Sequence, residues 1–179
     1  GLGKPDKLDG ARVHKSMMSA VRQISEKQET SVAVGIPADA AGSLSAGVLA
    51  QIVATAAVTG PVGQDLYRKE PGRYPLSAVT ILTTTDAESE VTSAVSQGAI
   101  LGEAVNLTRE LVNRPAADIY PESFAARAAA MADSCGLKCE VLDEAKLSEE
   151  KMGSLLAVAQ GSDRPARVVV LEHAGGDAN

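Results

Sequence analysis

A chain of 179 residues with 45% hydrophobic side chains can bury a core as one domain or two small ones. Aromatics are only 2% (Tyr67, Tyr74, Tyr120 and Phe124), so the core must be aliphatic, and base-stacking platforms for single-stranded nucleic acid are excluded. The 17 basic and 23 acidic side chains give a net charge of −6 with no basic run to follow a phosphate backbone, so nucleic acid is a poor fit.

Gly1-Leu2-Gly3-Lys4 has no strand before it, so it is not a dinucleotide fingerprint, and it reads as the ragged edge of a cut. No signal peptide opens the chain, and two cysteines, Cys135 and Cys139, cannot make a disulfide framework; the expected compartment is the reducing cytoplasm. Asp9 is placed to cap a helix over 10–27, whose inner face would be Val13, Met17, Ala20, Val21 and Ile24. Residues 31–36 (SVAVGI) form a β-branched run stopped by Pro37, which predicts a buried strand. A helix over 45–59 follows, ended by Gly60-Pro61.

Residues 40–64 contain no charge and so are weighed as a membrane span. Ser43, Ser45, Gln51, Thr55 and Thr59 interrupt the run, Pro61 punctuates it, and Asp39 and Asp65 flank it where Lys or Arg would anchor a span. A buried helix of a soluble domain is expected there. Residues 64–75 read as an exposed loop, and 77–84 (SAVTILTT) as a strand.

The long stretch 85–114 is the chain's organising element. Thr85 with Glu88 has capping-box spacing, and Asp86, Glu88 and Glu90 put negative charge where a helix dipole favours it. Val91, Ala94, Val95, Gly98, Leu101, Val105, Thr108 and Val112 recur at three and four residue steps, predicting one continuous helix over 87–112 with Gly98 and Gly102 on or beside its packed face. Ala104, Leu107 and Leu111 widen the stripe, so the C-terminal half is expected to be the more buried, as the helix leaves one body and enters another. Pro115 ends it.

Beyond it, Pro121 suits a first helical position, and Phe124, Ala128, Met131, Ala132 and Cys135 make an apolar stripe that stops at Gly136. Leu137, Cys139 and Val141 alternate with Lys138 and Glu140 as a half-buried strand. Asp143 caps a short helix to 151, Gly153 breaks it, and 167–173 (RVVVLEH) is a further strand. A strand, helical crossover and strand predict a parallel, right-handed unit. The alternation argues for an α/β fold with a mostly parallel sheet.

Chemistry is sparse. Cys135 and Cys139 have no histidine near them to complete a zinc site, and are expected to be buried structural thiols. His14 and His173 accompany no nucleophile motif, and the sequon at Asn106 reads as chance. No catalytic or metal-ligating residue is assigned to this chain.

Three linked blocks, ELVNRPAADIYPESFA, CEVLDE and KMGSLLAVAQGSDRPARVVVLE, resemble the start of the catalytic domain of the leucyl (cytosol) aminopeptidase family, the two-metal peptidases of family M17. Before about Val105 the likeness is to that family's variable N-terminal domain and is loose: 1–4 matches a strand end and 44–59 a helix. Tyr120 stands where relatives often carry a threonine able to cap the following helix. The resemblance divides the chain into 1–104, an N-terminal α/β domain with most of a connecting helix, and 105–179, the first βαβ part of the peptidase domain.

It implies an N-terminal portion of an exopeptidase that removes N-terminal residues from peptides, with two divalent ions, manganese or zinc, usually as a hexamer. In such sites the ions polarise the scissile carbonyl and activate water, and a lysine steadies the oxyanion. The family's ligand motifs, resembling Gly-Lys-Gly-Ile-Thr-Phe-Asp-Ser-Gly-Gly and Asn-Thr-Asp-Ala-Glu-Gly-Arg-Leu, are not in these residues. Thr85-Asp86-Ala87-Glu88 imitates part of the second, but Ser89 and Glu90 replace its Gly-Arg. The chain by itself is therefore expected to be inactive. A different class of reading is a non-enzymatic regulatory or binding module, contacting DNA or protein or serving oligomer assembly. A complete, unrelated small α/β enzyme is a third, and no nucleophile, base or phosphate loop converges to favour it.

Overall fold

The computed structural model describes residues 8–28, 30–36, 44–63 and 65–175, and of Thr85 only the backbone. The order is α1 (Gly10–Ile24), β1 (Ser31–Gly35), α2 (Ala46–Thr59), β2 (Ala78–Leu82), α3 (Glu88–Asn113), α4 (Pro121–Cys135), β3 (Lys138–Leu142), α5 (Glu144–Glu149), α6 (Gly153–Ala159) and β4 (Val168–Glu172). This is the α/β class expected. The chain forms two compact units, Gly1–Asn113 and Arg114–Asn179. They part there because α3 stays packed on α2 as far as Arg109, whereas the division at 104/105 follows where the family resemblance begins.

In the first unit α1 precedes a βαβ turn, and α3 follows it. β1 and β2 are parallel, Ser31 opposite Ala78 and Gly35 opposite Leu82, and the Ile36 amide extends the ladder to the Leu82 carbonyl at 2.9 Å. β1 alternates exposed and half-buried residues and is not the buried strand predicted, since helices cover one face of the described pair. α1 is capped by Asp9, which accepts the Arg12 amide at 2.8 Å; the helix ends at Ile24 rather than 27, and Ala20 faces solvent. Val13, Ile36, Leu49, Ala50, Val91 and Ala94 form the core. Residues 1–4 and Gln64 lie outside the described residues, as does the Thr85 side chain expected to cap α3.

α3 is one continuous helix of 26 residues, and Gly98 and Gly102 are buried against α2. A Cβ built on Gly98 would lie 2.5 Å from the Gln51 carbonyl oxygen and 2.8 Å from the Ala54 Cβ; one on Gly102 would lie 2.7 Å from the Val58 Cβ. Thr55 Oγ1 fills the same seam, 3.0 Å from the Gly98 carbonyl oxygen. The predicted face is correct only as far as Gly98. Leu101, Val105, Thr108 and Val112 are exposed, and the C-terminal half is the less buried one within this unit. Those residues follow a 3.5-residue repeat, which drifts about 20° per heptad on a straight helix; the true face runs on through Gly102, Asn106 and Arg109.

In the second unit α4 starts at Pro121 and ends on Gly136, whose φ of 69° is the left-handed cap position that glycine fills without strain. Its buried residues are Ala125 and Ala132, while Phe124 and Cys135, predicted on the inner stripe, are exposed. Tyr120 makes no side-chain cap; the Ser123 hydroxyl instead accepts the Tyr120 amide at 2.9 Å and donates to the Asp118 carbonyl at 2.7 Å.

β3 and β4 pair antiparallel, Lys138 opposite Glu172 and Leu142 opposite Val168, which corrects the parallel crossover predicted. Helix length explains the difference. A helix carrying the chain back along a five-residue strand must span about 17 Å, roughly eleven residues. α5 has six residues and α6 seven, and between them Lys151, at φ 59°, reverses the chain. The Met152 amide closes that turn on the Leu147 carbonyl at 2.9 Å. The chain thus re-enters at the end it left, and Leu142, Leu147 and Ala166 form a core there.

Candidate functional site

The residue types that carry most hydrolytic and metal chemistry are dispersed. His14 is half-buried on α1, and His173 is exposed just after β4. Cys135 is exposed and Cys139 only half-buried, so they are not the buried thiols expected: Cys135 occupies the last position of α4 on its solvent side, and Cys139 an alternating strand position. Asp143 caps α5 by accepting the Lys146 amide at 3.0 Å. Among the described residues no three His, Cys, Asp or Glu side chains gather to hold a metal ion. No helix of the described residues is long and apolar enough to cross a membrane.

Asp86 sits in a single 3-10 turn, Thr85–Ala87, ahead of α3. Hydrogen bonds from the Thr84 side chain, and then from its own backbone amide, hold its carboxyl below the usual aspartate range. That is the chemistry of a helix start. Glu90, predicted to serve its own helix, serves another: it accepts the Ser45 hydroxyl at 2.7 Å and the Gly47 amide at 3.0 Å, at the N-terminus of α2.

The opposite end of α2 is held in the same way. Asn106 Nδ2 donates to the Val58 carbonyl at 3.0 Å, and Arg109 donates to the carbonyls of Thr59 at 3.1 Å and Val62 at 2.9 Å. α2 carries no charge of its own, so α3 supplies an anion at its positive end and a cation at its negative end. The sequon asparagine therefore has a structural role. Beyond this end of α2, Arg68 and Arg73 of the loop join Arg22 and Arg109 around one cleft. Residues 64–75 read from sequence only as an exposed loop, because only folding brings these arginines together.

Residues 106–179 match the catalytic domain of the cytosol aminopeptidase family. A probable cytosol aminopeptidase of Rhodopirellula baltica is 36% identical over 176 residues, which is 98% of this chain and 32% of that protein. One from Rhodococcus erythropolis is 33% identical over 97% of this chain and 33% of its own length. The chain is similar to about a third of these cytosol aminopeptidases, and its residues 106–179 to the catalytic domain of that family.

Two solved structures are also similar over nearly the whole chain. The bottromycin maturation enzyme BotP in complex with Mn aligns at a TM-score of 0.80 and 31% identity, covering 96% of this chain and 35% of that one. A mutant of tomato leucine aminopeptidase aligns at 0.75 and 25%, covering 90% and 32%. The chain thus spans about a third of the length of the cytosol aminopeptidases it matches, and the likeness to BotP includes the first unit, for which sequence gave only a loose resemblance.

Proposed function

We propose that the chain is the N-terminal portion of a two-metal leucyl aminopeptidase, with 1–104 as its variable domain and connecting helix and 105–179 as the beginning of its peptidase domain. The observation that carries this is the family match over residues 106–179 together with alignment of nearly the whole chain to relatives about three times as long. Peptides with free N-termini are the substrates, and the cofactor is a pair of manganese or zinc ions; the manganese in BotP supports a divalent metal. The relatives' name supports a cytoplasmic location, and the hexamer rests on the resemblance alone.

The described residues offer no ligand set that fits such a pair, so no catalytic step is assigned to them. Their contribution is scaffold: one α/β unit, and the first strands and helices of a second. The test is to assay leucine p-nitroanilide hydrolysis by a protein in which this chain is continued through both family ligand motifs. Turnover that is abolished by chelator and restored by manganese or zinc is expected. Turnover indifferent to chelator would overturn the proposal.

A further inference from the structure

Arg22, Arg68, Arg73 and Arg109 line one cleft of about 520 Å³ in the first unit, and Asp65 is the acid among its lining residues. The four arginines come from three places: the last turn of α1, the loop between α2 and β2, and α3. In a chain of net charge −6, such a gathering of positive charge runs against composition.

Asp65 balances one of the four charges. Its Oδ1 lies 3.4 Å from Arg68 Nε, and its Oδ2 accepts the Gly72 amide at 3.0 Å, so this carboxylate is already engaged. Among the described lining residues, four guanidinium groups thus face one carboxylate. Arg109 has a structural reason to be there, as the cation at the end of α2, and Arg22 suits the dipole of α1. Arg68 has the Asp65 carboxylate as its partner, and neither that reason nor a helix end accounts for Arg73.

The loop is built to present those two. A Cβ at Gly63 would come 3.0 Å from Asp65 Oδ2 and 3.4 Å from Arg73 Nη1, and one at Gly72 would come 3.4 Å from Asp65 Oδ2. The loop therefore closes tightly on Asp65. The Tyr74 amide ties its far side to the Ser25 carbonyl at 2.7 Å, so Arg73 is fixed beside the end of α1. Planar guanidinium forks match paired oxygens of a tetrahedral oxyanion, and mutual repulsion of the arginines is relieved by a counter-ion of charge −2.

We propose that this cleft binds a dianionic phosphate group, held chiefly by Arg68 and Arg73, with Arg22 and Arg109 supplying field. It has room for inorganic phosphate or for the phosphate end of a small monoester.

The experiment is calorimetric titration of the full chain with inorganic phosphate and, separately, glycerol phosphate, in chloride buffer of matched ionic strength. Saturable one-to-one binding is expected, weakened at least tenfold by Arg73→Ala and by Arg68→Ala and unchanged by Lys15→Ala. The Arg68 side chain is 71% exposed, so its variant keeps a folded readout should Arg73→Ala unfold by circular dichroism. Tighter binding of the monoester assigns the site to a phosphorylated small molecule, and tighter binding of phosphate to the inorganic ion; both support the site. Absence of saturable heat at millimolar ligand, or equal affinity in Arg68→Ala and the parent chain, would overturn it.

Discussion

Gly98 is the residue on which the helix pair turns. With only 2.5 Å between a built Cβ and the Gln51 carbonyl oxygen, any side chain must push α3 off α2 or break the backbone seam beside Thr55. Gly98→Leu gains about 1 kcal/mol in helix propensity but should lose several through overpacking, a net destabilisation of roughly 2 kcal/mol or more. Gly153 in α6 has nothing within 4 Å of a built Cβ, so Gly153→Ala should be neutral or stabilising. Thermal unfolding of the two variants checks both signs; equal midpoints would remove Gly98 from the seam.

At the scale of elements, α2 is a charge-free helix whose ends are finished by α3. Glu90→Gln and Arg109→Ala should each cost about 1 kcal/mol, through lost charge-assisted bonds and dipole compensation at partly exposed sites. The two sites lie at opposite ends of α2, so their costs should add in the double variant, as chemical denaturation can measure; strong coupling would contradict two separate caps. Their cause was hidden in the sequence, where Glu90 looks like part of its own helix start and Arg109 like a solvated charge. Starts and stops were legible from Asp9, Pro115, Pro121 and Gly136, since each acts through local backbone chemistry, whereas Ser45, which caps α2, reads in the sequence only as a polar break in an uncharged run. The buried face of α3 beyond Gly98 was not, because 3.5 and 3.6 residue periods diverge only over several turns.

The antiparallel pairing of β3 and β4 was likewise out of reach of a rule about crossovers, which holds when the connecting helix is as long as the strands. It has a covalent test. Cys139 stands opposite Leu171, and paired Cα atoms in an antiparallel ladder lie about 4.5 or 5.5 Å apart, within disulfide range. In a Cys135→Ser background, Leu171→Cys should crosslink to Cys139 under mild oxidation, seen as a mass loss of two hydrogens, whereas Val169→Cys should not. The reverse result would restore a parallel pair.

For the whole molecule, the second unit was recognisable as a family block in sequence, while the first unit carried only a loose likeness there; similarity to a probable cytosol aminopeptidase nevertheless runs over 98% of the chain. Absent from both among the described residues is any convergence of acids: Asp86 and Asp143 serve helix starts and Glu90 a neighbouring helix end. Two-metal hydrolysis needs several carboxylates within a few ångström of each other, with partners that hold them. The direct measurement is to purify the 179 residues, determine bound manganese and zinc by elemental analysis, and assay leucine p-nitroanilide with either metal added. Substoichiometric metal and no turnover above buffer are predicted; stoichiometric metal with chelator-sensitive turnover would show that the chain holds a site of its own and would contradict the account.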